Sequence, residues 1–440
     1  MLLQLGLVIS IVLTVHGGFT TTSLGPKPIW NATHTDRLRQ DLLLNYDKFA
    51  RPAQHYNATT VKFGITLRHI DVIEMKSSFT VHGYVKLQWI DEKLVWNTAE
   101  YGNITTVHLA DHEIWQPDIF IYNSATAQAI NSYGNTHTIV YNNGEVLWVP
   151  PAQFTVLCNI NLRYWPFDQQ TCSLKFGSWT YNGEQINLIM YDNKTEELES
   201  TYLIDSNEWK MTGSSIERNL MYYSCCLEPY PDITINITVN RISPSYNAVV
   251  ITPAFAVIFL TLMTFWLPPQ AGEKIILQGC TAIIICMFLL YFTQKLPAMG
   301  SNTPLIVLFY STSLYVVCFS MISSVAVIWL ARTPHTLHLP WKLKQSLIGW
   351  LGKSLCLGHY IAQTNINTHR VTAEELRDHQ GNSDLDDRDH QMMDDDRRII
   401  DTNSSQASQQ DWVLLAAAVD RLSFYFYAVL FAVLAIAYSL

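Results

Sequence analysis

The chain has 440 residues, of which 49% are hydrophobic and 15% are charged, and its formal net charge is −9. Much of the negative charge lies in one run, "DLDDRDHQMMDDDRR" at residues 384–398, so the overall acidity indicates little about binding partners. Such a run is typical of a solvated, disordered segment. Neither a nucleic-acid partner nor a cofactor is predicted.

The N-terminus, "MLLQLGLVISIVLTVHGG" at residues 1–18, is an apolar run that ends in small residues. It predicts a secretory signal peptide, so the mature chain should begin outside the cell. Five Asn-x-Ser/Thr sequons follow, and each could carry a glycan only in a lumenal or extracellular region. They begin at Asn31, Asn57, Asn103, Asn193 and Asn236.

Residues 19–244 predict an extracellular ligand-binding β-sandwich. Short alternating stretches such as "SFTVHGYVKLQWI" and "DITINITVNRI" are separated by Asn, Gly and Pro turns, which favours antiparallel strands in two packed sheets. One helix is predicted before them in "TDRLRQDLLLNYDKF". Leu38, Leu42 and Tyr46 recur there at helical spacing, behind a cap at Thr35 or Asp36.

Four of the eight cysteines lie in this outer region, at positions 158, 172, 225 and 226. Three pairings are open, and the simplest joins Cys158 to Cys172 and Cys225 to Cys226. Adjacent Cα atoms lie about 3.8 Å apart, below the usual disulfide separation of about 4.4–6.8 Å, so the second bond would be strained and reducible. Strain of this kind is typical of functional sites, which favours a rigid knuckle in a ligand-covering loop. The alternative is two free or buried thiols.

Four apolar segments each have about the 20 residues that a membrane-spanning helix needs. They are Tyr246–Leu267, Ile275–Phe292, Pro304–Leu330 and Leu422–Leu440. The domain boundaries are therefore placed at 245–331 for three spans, 332–411 for a cytoplasmic segment and 412–440 for the fourth span. Basic residues follow the third span closely, as the positive-inside rule requires: Arg332, Lys342, Lys344 and Lys353.

The cytoplasmic segment begins with "PWKLKQSLIGWLGKSL", which predicts an interfacial amphipathic helix in contact with membrane lipid. Its apolar side carries Leu343, Leu347, Trp350 and Leu351, and the lysines lie elsewhere.

The run "CNINLRYWPFDQQTC" places thirteen residues between Cys158 and Cys172 around Pro166, Phe167 and Asp168. Together with four spans, it resembles the signature loop of the Cys-loop pentameric ligand-gated ion channels. The cysteine doublet, with Tyr223 before it and Tyr230 after it, resembles the α-type subunits of nicotinic acetylcholine receptors, and the divergent spans resemble an invertebrate member. The resemblance covers about residue 36 to the end, excluding the acidic run. It implies an α+β membrane protein in the plasma membrane, at a postsynaptic site, within a pentamer.

The resemblance also implies an agonist site between two subunits. The principal face would consist of Tyr122, Trp179, Tyr223, Cys225, Cys226 and Tyr230. A quaternary ammonium ion such as that of acetylcholine donates no hydrogen bonds, so it is best held by aromatic ring faces. The complementary face of a neighbouring subunit would offer Tyr84, Ile139, Leu147 and Val149. Trp115 and Trp165 are instead expected in the sandwich core.

Coupling between the two domains is expected at charged and aromatic residues that match family positions. Lys175 and Asp232 would link closure of the doublet loop near Tyr223 to gating. Glu74 and Arg241 would pair beneath the signature loop, although both could be ordinary surface charges. The tip of Trp165, Pro166, Phe167 and Asp168 would press on the link after span two, which Pro297 and Pro304 bracket.

Span two would line the pore. The resemblance implies that Glu273 forms an inner ring of carboxylates that selects cations, and the Pro-Ala insertion of anion-selective relatives is missing. The pore-facing stripe would be Ile276, Cys280, Ile283, Met287, Leu290 and Gln294, at steps of one helical face. Relatives generally place hydroxyl groups near the first two positions and a carboxylate at the last.

The leading hypothesis is therefore a subunit of an acetylcholine-gated cation channel. A poorly conducting ligand-binding or assembly subunit of such a pentamer is the alternative, because the pore stripe is so apolar. An enzyme is not predicted. The chain has no Gly-x-Ser-x-Gly, Gly-x-Gly-x-x-Gly or Cys-x-x-Cys motif, and Gln116 stands where a zinc helix after His112-Glu113 would need His. No metal site is predicted.

Overall fold

A computed structural model describes most of the chain. The described residues are 31–126, 133–191, 198, 200–204, 206–224, 226–297, 303–334, 339–365 and 390–439, with side chains described except at 390–407 and 439. The predicted signal peptide, the sequon at Asn193 and the cysteine at position 225 lie outside these residues.

The outer region is a sandwich of two β-sheets, as the alternating sequence predicts. Its strands are β1 (Thr59–Ile73), β2 (Ser78–Val95), β3 (Thr106–Leu109), β4 (Ile119–Ile121), β5 (Thr138–Tyr141), β6 (Asn143–Trp148), β7 (Pro151–Leu157), β8 (Gln169–Ser178), β9 (Ile186–Met190), β10 (Trp209–Met221) and β11 (Tyr230–Arg241). One sheet runs β3-β5-β6-β2-β1-β9, with β7 also paired to β2, and the other runs β10-β11-β8-β4. The pairing is antiparallel except between β1 and β9, which are parallel.

Residue alternation places the core between the sheets. In β2 the odd positions from Val81 to Trp89 are buried, whereas His82, Tyr84, Lys86 and Gln88 point away from the core. Trp115 is 3% exposed and packs on Trp89 in this core, as predicted. Trp165 is also buried, at 4% exposed, but it packs on Tyr246 and Phe292 of the membrane spans, so the predicted place in the sandwich core is wrong for this residue. The Cys158–Cys172 disulfide is present.

Helix α1 (His34–Leu43) is shorter than the sequence predicts and begins earlier. Its cap is Thr33, which forms a capping box with Asp36, and neither predicted cap position holds that role. Tyr46 lies beyond the helix. Its hydroxyl donates to Asp91 (2.6 Å) and accepts from the Trp115 backbone N–H (3.0 Å). Tyr46 therefore makes tertiary hydrogen bonds and does not take the predicted place on the helix.

Four helices among the described residues are long and apolar enough to cross a membrane: α2 (Pro244–Trp266), α3 (Glu273–Lys295), α4 (Leu305–Arg332), and residues Ser408–Tyr438 of a longer helix. Helix α2 contains a π-helical stretch, Asn247–Ile251, just before Pro253. One cluster of buried apolar residues extends from the sandwich core into the spans, where it includes Val250, Ile285 and Tyr310.

The segment predicted to be cytoplasmic departs from prediction in two respects. The amphipathic helix is broken at Gly349 into α5 (Trp341–Ile348) and α6 (Trp350–Ser354), and a further helical stretch occupies residues 358–365. Leu347 packs on Leu414 and Ala418, whereas Trp350 is exposed and does not share its side.

The fourth span belongs to α7 (His390–Ser439), which continues into the acidic run. A disordered segment was predicted here, whereas the helix extends N-terminally to His390 without a helix-breaking Gly or Pro.

Candidate functional site

The predicted principal face forms an open aromatic cage. Tyr122, at the end of β4, lies 6.2 Å from Trp179 between ring centroids. Tyr223 and Tyr230, which flank the cysteine doublet, lie 5.7 Å apart in an edge-to-face arrangement. Trp179 is 68% exposed and Tyr223 is 45% exposed, so one side of the cage faces solvent in the single chain.

Tyr122 also interacts electrostatically with the second ring pair. The pKa of Tyr122 is raised well above its ordinary value, chiefly by burial and then by the neighbouring Tyr223, Asp232, Asp118 and Tyr230. The Tyr122 hydroxyl donates to the Ser178 carbonyl (2.7 Å), which fixes its ring beside Trp179. The cage therefore combines aromatic ring faces with neighbouring carboxylates, which suits a cationic ligand.

Asp118 braces the loop that carries Trp179, a role the sequence analysis missed. Its carboxylate accepts from Ser178 Oγ (2.5 Å), from the Thr180 backbone N–H (2.7 Å) and from Thr180 Oγ1 (2.7 Å). The Trp179 N–H donates to the Asp118 carbonyl at 3.2 Å. The only signal for this role in the sequence was an acidic residue next to the proline of "WQPD".

Two backbone hydrogen bonds involve the described residues of the doublet loop. The Cys226 N–H donates to the Tyr223 carbonyl at 3.1 Å, and the Gly183 N–H donates to the Pro229 carbonyl at 2.7 Å. Cys226 takes part in a disulfide. The predicted bond between Cys225 and Cys226 falls on a residue outside the described part of the chain, so it stays a prediction.

The predicted Lys175–Asp232 pair is not an ion pair in this structure. No N···O distance of 4.0 Å or less joins the two side chains, although both are described. Asp232 instead accepts from Asn219 Nδ2 (3.0 Å) and Thr234 Oγ1 (2.9 Å). On β8, Lys175 lies opposite Thr234, and Asp232 lies opposite Gly177, so the two residues are diagonal neighbours across the paired strands.

The predicted complementary face lies on the other sheet. Ile139 pairs with Leu147, and Leu147 pairs with Gln88, so these side chains form one row across β5, β6 and β2. Tyr84 is 41% exposed four residues before Gln88, and Val149 is exposed just after β6. Because these four predicted residues lie on the sheet that does not carry the cage, one chain offers two separate faces.

The predicted Glu74–Arg241 pair is present within a larger buried cluster. The Arg241 side chain is fully buried and donates to Glu74 (2.7 Å), Asp168 (2.7 Å) and Glu208 (2.5 Å). Its guanidinium also lies 4.2 Å from the ring centroid of Trp209. Burial would lower the pKa of Arg241, but hydrogen bonds and the charges of Asp168 and Glu74 outweigh it and raise the pKa above its ordinary value.

Glu208 was not predicted. It connects the cluster to the first span, because Tyr246 donates its hydroxyl proton to Glu208 at 3.0 Å. Nothing in the local pattern "DSNEWK" distinguishes this glutamate from a surface residue.

The signature-loop tip contacts the spans directly. Trp165 packs on Tyr246 of α2 at 5.0 Å and on Phe292 of α3 at 5.9 Å between ring centroids. Pro166 is buried, Phe167 is exposed, and the Leu305 N–H of α4 donates to the Arg163 carbonyl at 3.0 Å. The link it was expected to press begins at Pro297, and residues 298–302 of that link lie outside the described part of the chain.

The predicted pore residues lie on one face of α3. Glu273, Ile276, Cys280, Ile283, Met287, Leu290 and Gln294 are all exposed in the single chain. The opposite face is buried against the other spans and carries Lys274, Gln278, Thr281, Ile285 and Phe292. Helical periodicity thus separated the two faces as predicted.

Two polar contacts on the buried face were missed. Lys274 forms an ion pair with Asp420 of α7, and both side chains are almost completely buried. Gln278 donates to Thr264 (3.1 Å) and to Ser324 (3.0 Å) of the neighbouring spans. A polar residue inside an apolar span was the available signal, because such a group needs a partner there.

The sequon asparagines differ in surroundings. Asn31, Asn57 and Asn103 are exposed. Asn236 lies within β11 and is half-buried, with its amide donating to Ser215 (3.2 Å) and accepting from Ser173 (2.6 Å). A glycan on that amide would disturb these hydrogen bonds, so Asn236 fits modification least well of the four sequons that the structure describes.

Comparison with known proteins agrees with this arrangement. Residues 35–243 match the model of the neurotransmitter-gated ion-channel ligand binding domain, and residues 250–402 match that of the neurotransmitter-gated ion-channel transmembrane region. The chain is 36% identical over 345 residues to acetylcholine receptor subunit alpha-type acr-16 of Caenorhabditis elegans, covering 77% of this chain and 68% of that protein.

Two further relatives come from an insect and a mammal. The chain is 36% identical over 320 residues to acetylcholine receptor subunit alpha-L1 of Schistocerca gregaria, covering 70% of this chain and 57% of that protein. It is 29% identical over 401 residues to neuronal acetylcholine receptor subunit alpha-5 of Homo sapiens, covering 89% of this chain and 83% of that protein.

Proposed function

Because the chain belongs to the neurotransmitter-gated ion-channel family and is a multi-pass plasma-membrane protein, we propose that it is the principal-face subunit of an acetylcholine-gated cation channel. The observation that carries this proposal is the aromatic cage of Tyr122, Trp179, Tyr223 and Tyr230, with Trp179 68% exposed at its open side. Relatives named as acetylcholine receptor subunits support the choice of agonist.

The chemistry of the cage favours a quaternary ammonium ligand. Cation–π attraction contributes about 0.5–2 kcal/mol per good contact and is strongest for tryptophan. Asp118 holds the Trp179 loop through three hydrogen bonds, so little ordering is left to occur on binding. The open side leaves room for a neighbouring subunit to complete the site.

The pore stripe supports assembly with other subunits. Five copies of α3 would surround the pore with rings of Ile276, Ile283, Met287 and Leu290, which are exposed on one face. A narrow apolar tube tends to lose its water and to exclude ions. We therefore expect a heteropentamer in which partners supply hydroxyl groups at these levels, while Glu273 of this chain contributes to cation selection at the inner mouth.

A second candidate function follows from the same stripe. The chain could bind agonist or promote assembly while conducting poorly itself. Cysteine at position 280 and glutamine at position 294, where relatives generally place a hydroxyl group and a carboxylate, favour this alternative.

The test replaces Trp179 with tryptophans that carry one to three fluorine atoms, which progressively remove negative potential from the ring face. Acetylcholine affinity is measured by displacement of a labelled antagonist from surface-expressed protein, so conduction is not required. We expect a stepwise loss of about tenfold in total, equivalent to about 1.4 kcal/mol.

The matched control carries the same fluorinated series at Trp350, which is equally exposed but lies on the cytoplasmic side. Affinity should not change there. An affinity that stays constant across the Trp179 series would remove this residue from the cage and leave the choice of agonist without its main support.

A further inference from the structure

Two histidines face each other on the outer side of the sandwich. Strands β1 and β2 pair His69 with His82, and their ring centroids lie 5.9 Å apart. A bulge between Leu67 and His69 makes this possible, because one extra residue, Arg68, returns His69 to the outward side while Ile70 stays buried. Both rings are only half-buried and are accessible to solvent ions.

We propose that His69 and His82 bind one divalent transition-metal ion, with zinc as the working example. Neutral imidazole is a preferred ligand of Zn²⁺ and Cu²⁺. Two rings bound through Zn–N distances of about 2.0–2.1 Å at a tetrahedral angle have centroids about 5 Å apart. The observed 5.9 Å needs only a small rotation of the two side chains.

The surroundings leave space for the remaining ligands. A groove of about 430 Å³ adjoins His82 and is lined by Tyr84, Tyr133, Gln153 and Arg68 among others. On the described residues, no group of three His, Cys, Asp or Glu side chains converges on a common point, so the protein supplies two ligands and water supplies the rest. With only two protein ligands and the positive charge of Arg68 nearby, binding should be reversible and micromolar.

The histidine pair lies close to the proposed complementary face. His82 precedes Tyr84 by two residues on the outward side of β2, so a bound ion would lie beside the proposed complementary face. A metal-dependent change in agonist affinity rests on the proposed function, whereas the metal site itself does not.

The test uses the full-length chain purified in detergent and zinc chloride as the probe. Histidines are modified with diethyl pyrocarbonate, and each site is quantified by mass spectrometry, which separates the pair from the other twelve histidines among the 14 in the chain. Micromolar zinc should protect His69 and His82 together, with one common half-saturation concentration. Absence of protection at either residue in the wild-type chain would overturn the proposal without any substitution.

Substitution then tests whether the pair acts as one site. In His69→Asn, the zinc concentration that half-protects His82 should rise by about tenfold or more, because the second ligand no longer holds the ion at high effective concentration. His108→Asn is the matched control, since His108 is exposed on the same sheet and lies opposite Ile139. Equal protection of His82 in wild type and His69→Asn would contradict a shared ion.

Discussion

Arg241→Gln should destabilise the extracellular region strongly. The Arg241 side chain is fully buried, and Asp168 beside it has only 2% of its side chain exposed. Removing one member of a buried ion pair costs about 3–5 kcal/mol, since the remaining charge stays buried without compensation. For a domain of this size, the melting temperature should therefore fall by about 6–20 °C.

The three carboxylates should not contribute equally. Glu208 is 46% exposed, so water can solvate it after its partner is lost, and Glu208→Gln should cost about 1 kcal/mol or less. Asp168→Asn should reduce the stability nearly as much as Arg241→Gln does. Arg241→Lys should give an intermediate loss, because an ammonium group is a point charge and cannot reach three carboxylates in a fixed planar fork.

The assay is thermal melting of detergent-purified full-length chain, followed by fluorescence-detected size exclusion, together with the surface fraction in cells. Arg39→Gln is the matched control, because its ion pair with Glu113 has side chains that are 42% and 26% exposed. The burial argument fails if Arg241→Gln lowers the melting temperature no more than Arg39→Gln does. It also fails if Glu208→Gln lowers the melting temperature as much as Asp168→Asn does.

Three further predictions concern the pore, the spans and the sandwich core. Expressed alone, the chain should give little or no acetylcholine-evoked current even when its surface level is normal. Ile276→Thr combined with Cys280→Ser should raise the current, because hydroxyl groups hydrate the apolar rings of the pore. Large currents from the wild-type chain alone would contradict this prediction. Asp420→Asn should lower the melting temperature through the unpaired buried Lys274, and the double change Lys274→Met with Asp420→Leu should restore much of it. Burial raises the pKa of Asp91 in the folded chain. The stability that the protonated Asp91 side chain contributes is therefore present at acid pH and is lost as the pH rises through the raised pKa. Asp91→Asn should flatten that part of the plot of melting temperature against pH.

The sequence alone determined the features that depend on residues close together in the chain. Alternation predicted the two-sheet sandwich, apolar length predicted four spans, and helical periodicity predicted which face of α3 is exposed. Each of these three signals lies within one short stretch of chain, where geometry follows from residue spacing. The aromatic residues of the cage lie far apart in the sequence and were predicted through family resemblance instead.

The tertiary structure decided which distant groups meet. Arg241 joins Glu208, which is 33 residues away, and Glu74, which is 167 residues away. Lys274 meets Asp420 across 146 residues. No local pattern encodes such pairs. Resemblance had also paired Lys175 with Asp232, and the structure shows no ion pair between them. A buried charge must find a partner, but strand register and helix packing choose that partner, and both become fixed only when the whole chain has folded.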